Sequence, residues 1–217
     1  MWVSREGRFC FIHIQKTAGK SVRLLLKAHL PDFGRLGGTH DTAAQGRRAL
    51  GRAAYDECLS AAFVRNPWDR LVSWYSMIAQ SDRDLLLHQY VRENSHDFPS
   101  FVHNCTRTVR DYDGTKSLCR NQIDYLVDWR GRLIVDFVGR FEAIEADAGL
   151  LFRRLGLEGV RLPRVNPSEH QHYSAYYTDE LAAVVAHRYR RDVEAFGYRF
   201  ERIERPVARL ISNRTQA

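Results

Sequence analysis

Apolar and polar residues alternate in blocks along the first thirty positions. A mostly apolar run at residues 9–14 meets a polar loop at residues 15–20. A helical pattern follows, with apolar residues at Val22, Leu24, Leu25, Leu26, Ala28 and Leu30. Short apolar runs bounded by turn signals are typical of buried strands, and a recurrence of three to four residues is typical of helices. The pattern predicts a strand, a tight loop and a helix near residues 21–29.

The same alternation continues along the chain. Strands are predicted near residues 59–64 and 133–138, and helices near residues 42–55, 67–78, 143–155 and 178–196. Strands that alternate with helices form a parallel sheet covered on both faces. We therefore predict an α/β fold, a P-loop-like three-layer sandwich with a central parallel sheet flanked by helices. Ligands of such folds bind at the carboxyl ends of the strands.

The length of 217 residues indicates one domain. We predict a single domain over residues 1–205 and a flexible tail over residues 206–217. The polar stretch at about residues 81–118 is interpreted as an insertion with one or two short helices, one of them near residues 99–105.

The loop after the first strand has the features of a phosphate site. Backbone N–H groups of a tight loop and of a helix N-terminus converge on one point, and the helix dipole favours negative charge there. Lys16 and Lys20 add two positive charges, and Thr17 and Ser21 add hydroxyl donors. The sequence therefore predicts a protein that binds a nucleotide cofactor.

The loop departs from the Walker A pattern of ATP- and GTP-binding proteins. Gly19, Lys20 and Ser21 match the end of that pattern, but Ile14 stands where its first glycine should be. An apolar run that ends in Asp136 is a candidate Walker B strand. A P-loop-type nucleotide kinase or NTPase with a degenerate Walker A loop is the alternative, and it predicts magnesium-dependent ATP binding without a use for Arg65.

A second segment carries a further candidate phosphate site. Arg65 follows the apolar run at residues 59–64, Pro67 begins a helical pattern, and Ser73 lies nearly two turns along it. Arg65 and Ser73 could hold a second phosphate together. On spacing alone, Arg65 could equally pair with a carboxylate and Ser73 could be a small packing residue.

Together these segments resemble the paired signatures of the sulfotransferases that use 3′-phosphoadenosine 5′-phosphosulfate (PAPS). The resemblance is closest to the carbohydrate branch, which includes the heparan sulfate 2-O- and 6-O-sulfotransferases and bacterial relatives. Residues 13–21 resemble the 5′-phosphosulfate loop and residues 65–73 the 3′-phosphate motif. Residues 136–147 and 172–200 resemble later family segments, so the likeness runs from about residue 8 to about residue 200.

The resemblance implies transfer of a sulfuryl group from PAPS to a hydroxyl of a carbohydrate-like acceptor by in-line displacement, with 3′-phosphoadenosine 5′-phosphate (PAP) as the product. Arg65 and Ser73 would hold the 3′-phosphate that separates PAPS from ATP. Lys16 would also stabilise charge on the leaving oxygen, and the insertion would face the acceptor. The 5′-phosphosulfate would be held by Lys16, Thr17, Ala18, Gly19, Lys20 and Ser21.

Transfer to an alcohol also needs a base for the hydroxyl proton, and His is the usual choice. Of nine His residues we choose His40, which lies in a Gly-rich loop after the first helix. Related 6-O-sulfotransferases have their proposed base in a similar context. Asp41 could orient the His40 ring or cap the next helix, with Thr42 as the other cap candidate. His13 is the competing base, and its place in the first strand favours a packing role.

Other contacts with the cofactor are less defined by the sequence. The resemblance suggests that a late loop covers the cofactor, so Ser168, His170 or Tyr173 would touch it. Four aromatic residues could stack on adenine or sugar, although core packing is the favoured interpretation: Trp74, Tyr75, Tyr176 and Tyr177. The four Cys residues are scattered without a C-x-x-C pair, so we expect no metal.

The charge balance is basic, with a net charge of +7 and a pI near 9.4. Such a balance raises the possibility of nucleic-acid binding, but no nucleic-acid motif is present. A multiply charged cofactor and a polar or acidic glycan account for the excess more simply. We therefore expect no nucleic-acid partner, and the oligomeric state is not readable.

No apolar run approaches the roughly 20 residues of a membrane span, and the N-terminus lacks a signal-peptide pattern. We expect a cytoplasmic, bacterial enzyme without a membrane span. Sequons at Asn104 and Asn213 leave open an excised Golgi domain. A non-catalytic module of the same fold is a third hypothesis, which predicts that His40 lies far from the transferred group.

Overall fold

The computed structural model describes residues 1–111, 114–163 and 171–203. Its strands are β1 (Trp2–Ser4), β2 (Phe9–Ile12), β3 (Gly34–Arg35), β4 (Leu59–Val64), β5 (Thr108–Asp111), β6 (Gly114–Ser117) and β7 (Phe137–Arg140). Its α-helices are α1 (Gly19–His29), α2 (Ala43–Leu50), α3 (Arg52–Asp56), α4 (Pro67–Ala79), α5 (Leu86–Asn94), α6 (Phe98–Asn104), α7 (Ile144–Arg154), α8 (Asp179–Arg188) and α9 (Arg190–Phe196). Short 3₁₀ turns lie at Ile123–Tyr125, Phe141–Ala143 and Tyr173–Tyr176.

The central sheet has the strand order β3-β1-β2-β4-β7. Strands β2, β4 and β7 are parallel, whereas β1 runs antiparallel to both β2 and β3. The expectation of a purely parallel sheet is therefore wrong at this edge. Strands of three and two residues are too short to show a hydrophobic period, which is why the sequence gives no sign of them.

Helices cover both faces of the sheet. Phe9, Phe11 and Phe63 pack with helices α1 and α7, and Cys10 and Val64 pack on the opposite face with α4, α5, α6 and α8. Every residue of β2 is buried, as expected of a strand covered on both sides. The predicted layering of helices around a central sheet is confirmed.

Three predicted elements have different bounds. The helix predicted over residues 42–55 breaks at Gly51, whose φ of 91° is unfavourable for other residues and separates α2 from α3. The helix over residues 178–196 divides at Tyr189. The strand predicted over residues 133–138 begins only at Phe137, because Leu133 forms an isolated antiparallel bridge with Val127 instead.

The polar stretch at residues 81–118 contains α5, α6 and the antiparallel hairpin of β5 and β6. Helix α6 confirms the short helix predicted near residues 99–105, since Asp97 caps it and Pro99 fits its first turn. The hairpin was not predicted. Among the helices of the described ranges, none has both the length and the apolar character needed to cross a membrane.

Candidate active site

The loop between β2 and α1 has an unusual backbone. Lys16 and Ala18 both have positive φ, at 68° and 61°, a left-handed conformation that costs non-glycine residues energy. Strained backbone of this kind is typical of functional sites. Ala18 is also the N-cap of α1 and supplies no side-chain hydrogen bond to the first turn. The N–H groups in the first turn of α1 therefore receive no hydrogen bond from an N-cap side chain. Sites that bind anions through backbone N–H groups have this feature too.

Thr17 and Gly19 shape this loop from within. Thr17 is 1% exposed, and its hydroxyl donates to the carbonyl of Ile14 at 3.0 Å, so the side chain fixes the loop from inside. A Cβ at Gly19 would lie 1.9 Å from Cδ2 of His13. The chain can therefore pass over the His13 ring only because position 19 has no side chain.

The loop opens into a cavity of about 840 Å³, within the usual size range of ligand sites. The cavity lies at the carboxyl ends of β2 and β4, as predicted. It brings together eight of the nine predicted site residues: Lys16, Ala18, Gly19, Lys20, Ser21, His40, Arg65 and Ser73. Thr17 does not line the cavity.

Arg65 is 5% exposed and held from three sides. Its Nε donates to Asp69 at 2.8 Å, its Nη1 donates to the Lys16 carbonyl at 3.2 Å, and its guanidinium lies 3.9 Å from the centre of the Phe141 ring. Arg65 therefore pairs with a carboxylate, as one of the two interpretations predicts, and its side chain also lines the cavity. Ser73, 2% exposed, lines the same cavity from α4.

Lys16 is half-buried in the wall of the cavity. Burial, with a smaller contribution from the nearby positive charge of Arg65, lowers the pKa of Lys16 from 10.5 to about 8. The site therefore concentrates positive charge before any ligand binds, and an anion would relieve the repulsion.

His40 is oriented by the backbone of His13, which directly follows β2 and does not lie within the first strand as predicted. Its Nδ1 lies 2.9 Å from the carbonyl oxygen of His13, to which it donates, so the neutral ring carries its lone pair on Nε2. The two imidazole rings are 4.5 Å apart. Asp41 accepts the backbone N–H of Gly38, and Thr42 caps α2 in a capping box, so the cap prediction holds for Thr42.

His13 is 8% exposed beneath His40. Burial first, and then the neighbouring His40 and Arg23, hold the pKa of His13 well below its usual range. Its ring packs against Gly19 and its Nδ1 lies 3.4 Å from Nη1 of Arg23. These contacts agree with the packing role favoured for this residue.

Several residues that support the site gave no signal in the sequence. Arg70 is 1% exposed and donates from Nε to the carbonyl of Gln15, directly before Lys16. The Gln15 side chain accepts the Tyr125 hydroxyl at 2.8 Å. Gln15 and Tyr125 lie more than a hundred residues apart in the sequence, so no local sequence pattern could show this hydrogen bond.

Only some of the other residues considered for contact with the cofactor line the cavity. Trp74 lines the cavity, whereas Tyr75, Tyr176 and Tyr177 pack against Phe98 as core residues. Tyr173 lines a smaller neighbouring cavity of about 540 Å³, and its hydroxyl accepts the backbone N–H of Glu201. Ser168 and His170 lie outside the described residues, as does the predicted tail at residues 206–217.

The candidate Walker B residue lies at the wrong end of the sheet. Asp136 precedes β7 and accepts hydrogen bonds from the backbone and hydroxyl of Ser60, at 2.8 and 2.6 Å. Ser60 is the second residue of β4, whereas the cavity adjoins the other end of that strand. Asp136 therefore cannot hold a metal ion beside the loop, and the kinase alternative loses its candidate Walker B carboxylate.

Comparison with known proteins assigns the chain to a family. A profile described as "Sulfotransferase family" matches residues 1–199. An uncharacterized protein of Archaeoglobus fulgidus is 26% identical over 133 residues, which are 58% of this chain and 92% of that protein. No solved structure gives a significant match. Because the profile covers nearly the whole chain, the protein belongs to the sulfotransferase family.

Proposed function

We propose that this protein transfers a sulfuryl group from PAPS to a hydroxyl of a carbohydrate-like acceptor. One observation carries the proposal: residues of the loop between β2 and α1, the Arg65–Ser73 pair and His40 all line a single cavity. Groups able to bind an anion at two separate points suit a nucleotide with two separated phosphates, and a histidine that lines the same cavity suits proton transfer. Membership of the sulfotransferase family supports the same reaction class.

The residues present fit PAPS. The left-handed backbone at Lys16 and Ala18, together with the start of α1, would hold the 5′-phosphosulfate. Arg65 and Ser73 would hold the 3′-phosphate. PAPS supplies, when bound, an activated sulfuryl group whose sulfur–oxygen bond to phosphate breaks as the acceptor oxygen bonds to sulfur. The pairing of Arg65 with Asp69 fixes its guanidinium before a ligand arrives, which reduces the entropy lost on binding.

His40 is proposed as the base that receives the acceptor's hydroxyl proton. The His13 carbonyl fixes the protonated Nδ1, so the proton from the acceptor would pass to Nε2. A backbone carbonyl here takes the orienting role that a carboxylate often has in enzymes.

Lys16 is proposed to stabilise the negative charge that develops on the leaving oxygen. Its pKa of about 8 in the free site leaves most of the ammonium protonated at neutral pH, and a bound anion would raise that pKa further. The left-handed backbone of Lys16 sets where its side chain leaves the loop.

A radiolabel experiment tests the transfer itself. Protein would be incubated with ³⁵S-labelled PAPS and a panel of neutral and uronic acid oligosaccharides, beside the His40→Asn variant. We expect label in at least one oligosaccharide and at least about a hundredfold slower transfer by the variant. Binding of PAP without transfer to any member of the panel would contradict the proposal and favour the non-catalytic module.

A further inference from the structure

Arg70 is a buried cation of α4 that forms no ion pair with any residue the structure describes. Its partners are two backbone carbonyls, because Nε donates to Gln15 and Nη1 donates to Arg120, both at 3.1 Å. The remaining nitrogen, Nη2, is buried without a partner among the described residues. A buried charge is costly unless it is paired and hydrogen-bonded, so an arginine at this position requires a reason.

The buried carboxylate of Asp192 does not neutralise Arg70 by contact. Burial raises the pKa of Asp192, and the positive charge of Arg70 is one of the influences that oppose this rise. Asp192 nevertheless accepts its hydrogen bonds from Gln122 and Ile123. The guanidinium of Arg70 therefore serves backbone carbonyls, one of which adjoins the loop between β2 and α1.

Two arginines hold the backbone on either side of Lys16. The Gln15 carbonyl, which Arg70 binds, belongs to the peptide bond before Lys16. The Lys16 carbonyl belongs to the peptide bond after it and accepts Nη1 of Arg65 at 3.2 Å. The φ and ψ angles of Lys16 are the rotations between these two peptide planes. The two bonds therefore oppose relaxation of the left-handed conformation at Lys16, which is energetically unfavourable for a residue with a side chain.

The side chain of Gln15 has anchors of its own. Its Oε1 accepts the Tyr125 hydroxyl at 2.8 Å, and its Nε2 donates to the carbonyl of Thr115 at 3.4 Å. These bonds fix where Gln15 lies, whereas the bond from Arg70 fixes the direction of its carbonyl.

The direction of the Gln15 carbonyl also determines where the Lys16 N–H points. The C=O and N–H of a trans peptide point in opposite directions, and none of the peptide bonds in the described ranges is cis. Because the carbonyl points at the buried Arg70, the Lys16 N–H points away from the protein interior there. Within the described part of the chain, this N–H donates to no acceptor.

We propose that Arg70 is a positioning residue, which holds Lys16 in its left-handed conformation through the Gln15 carbonyl and so presents the Lys16 N–H to a bound anion. This inference rests on the proposed function for the identity of that anion, the 5′-phosphosulfate. Arg70 acts through the backbone of the loop and does not line the cavity. A purely structural role, joining α4 to the segment at Arg120, would leave the Lys16 backbone unchanged when Arg70 is replaced.

Nuclear magnetic resonance of the Lys16 backbone tests the proposal in the free protein. Protein with lysine labelled with ¹⁵N at its backbone nitrogen gives four amide signals: Lys16, Lys20, Lys27 and Lys116. The amide and α hydrogens of a residue lie closer together at a φ near +60° than at the negative φ of helices and strands, so their cross-peak is stronger. Lys16 alone of the four has a positive φ, so the other three are internal references. Lys16→Arg identifies its signal.

We expect the Lys16 cross-peak to exceed the other three in the wild type and to fall to their level in Arg70→Met, which removes both donors. The affinity for PAP should fall at least about tenfold in the same variant. Val72→Ala is the matched control, because Val72 is fully buried on the same helix and its truncation removes core packing but no donor to the loop. This control should keep both the cross-peak and the affinity.

Arg70→Lys is the second variant, for use if Arg70→Met does not fold. It keeps the charge but lacks the Nε–H donor, so the same losses are expected to a smaller degree. A weak Lys16 cross-peak in the wild type, a cross-peak or PAP affinity of wild-type strength in a folded Arg70 variant, or the same losses in Val72→Ala would overturn the proposal. Because the cross-peak is measured without ligand, failure of the wild type to bind PAP would count against the proposed function alone.

Discussion

The side-chain amide of Gln122 binds both backbone polar groups of Arg65. Its Oε1 accepts the Arg65 N–H at 2.9 Å, and its Nε2 donates to the Arg65 carbonyl at 2.7 Å. The same Nε2 lies 3.2 Å from Asp192 of α9, whose other oxygen accepts the N–H of Ile123. Gln122 and Asp192 are both 0% exposed. Through Gln122, helix α9 thus fixes the backbone of Arg65, the residue that directly follows β4.

Replacement of Gln122 by Leu should destabilise the protein and loosen Arg65. The change leaves a buried N–H and a buried carbonyl unpaired, for which we expect a loss of about 2–4 kcal/mol in the free energy of unfolding. Urea unfolding measures it. Gln89→Leu, which removes a side-chain hydrogen bond at the surface, should cost less than about 1 kcal/mol. Equal stability of the two variants would contradict the assigned role of Gln122.

Gly19→Ala should abolish the anion site, because the new methyl group would overlap the His13 ring. We expect PAP binding to weaken by at least about a hundredfold together with a loss of stability. Gly149 offers a matched control on α7, where a Cβ would meet only Nη1 of Arg153 at 3.9 Å. Gly149→Ala should stabilise the protein by about 0.5–1 kcal/mol without altering PAP binding. Normal PAP affinity in Gly19→Ala would refute the described loop.

The lowered pKa of Lys16 predicts a pH dependence of PAP binding. Below about pH 8 the free site already holds the ammonium form, so affinity should change little. Above that pH, Lys16 of the free protein loses its proton, and PAP binding must take up a proton to restore the ammonium. The affinity for PAP should therefore fall as the pH rises through about 8 and beyond. Calorimetry at pH 6.5 to 9.5 in two buffers of different ionisation enthalpy measures both the affinity and the proton uptake.

Lys16→Arg is the control for this profile, because arginine stays charged throughout the range. The variant should show no proton uptake from position 16 and a flatter pH profile. A wild-type affinity that is constant to pH 9.5 would contradict the involvement of the Lys16 ammonium.

His40→Asn should separate catalysis from binding. The amide of Asn can still donate to the His13 carbonyl but cannot accept a proton, so transfer should slow by about 10²- to 10⁴-fold. The dissociation constant for PAP should stay within about threefold of the wild type. Comparable losses of transfer and PAP affinity would instead assign His40 to cofactor binding.

The elements proposed to hold the phosphate groups were predictable because their signals are local. Strand β4 matches its predicted bounds at Leu59–Val64, since a full apolar run is bounded by the Asn66 N-cap and by Pro67 in the first helical turn. The same reasoning identified the loop at Lys16. Its left-handed backbone carries no sequence signature, because neither Lys16 nor Ala18 is glycine.

The support of the site was not predictable, because it depends on distant contacts. Gln122 lies 57 residues from Arg65, and Asp192 lies 70 residues beyond Gln122. His88 lies on α5 and Lys116 on β6, and no local sequence period can show that these two elements meet at the cavity. The orientation of His40 by a backbone carbonyl likewise follows from the tertiary structure, whereas the neighbouring Asp41 was the local expectation.

Binding of PAP tests the central claim most directly. Calorimetric titration without magnesium would compare the binding of PAP, ATP and 5′-AMP by the wild type and by three variants, Arg65→Lys, Ser73→Ala and Arg132→Ala. Arg132→Ala is the matched control, because Arg132 pairs with Asp128 at the same four-residue spacing as Arg65 with Asp69. We predict that the wild type binds PAP at least about tenfold tighter than 5′-AMP. The Arg65 and Ser73 variants should lose this preference, and Arg132→Ala should keep it. Equal affinity for PAP and 5′-AMP, or tighter binding of ATP, would contradict the account.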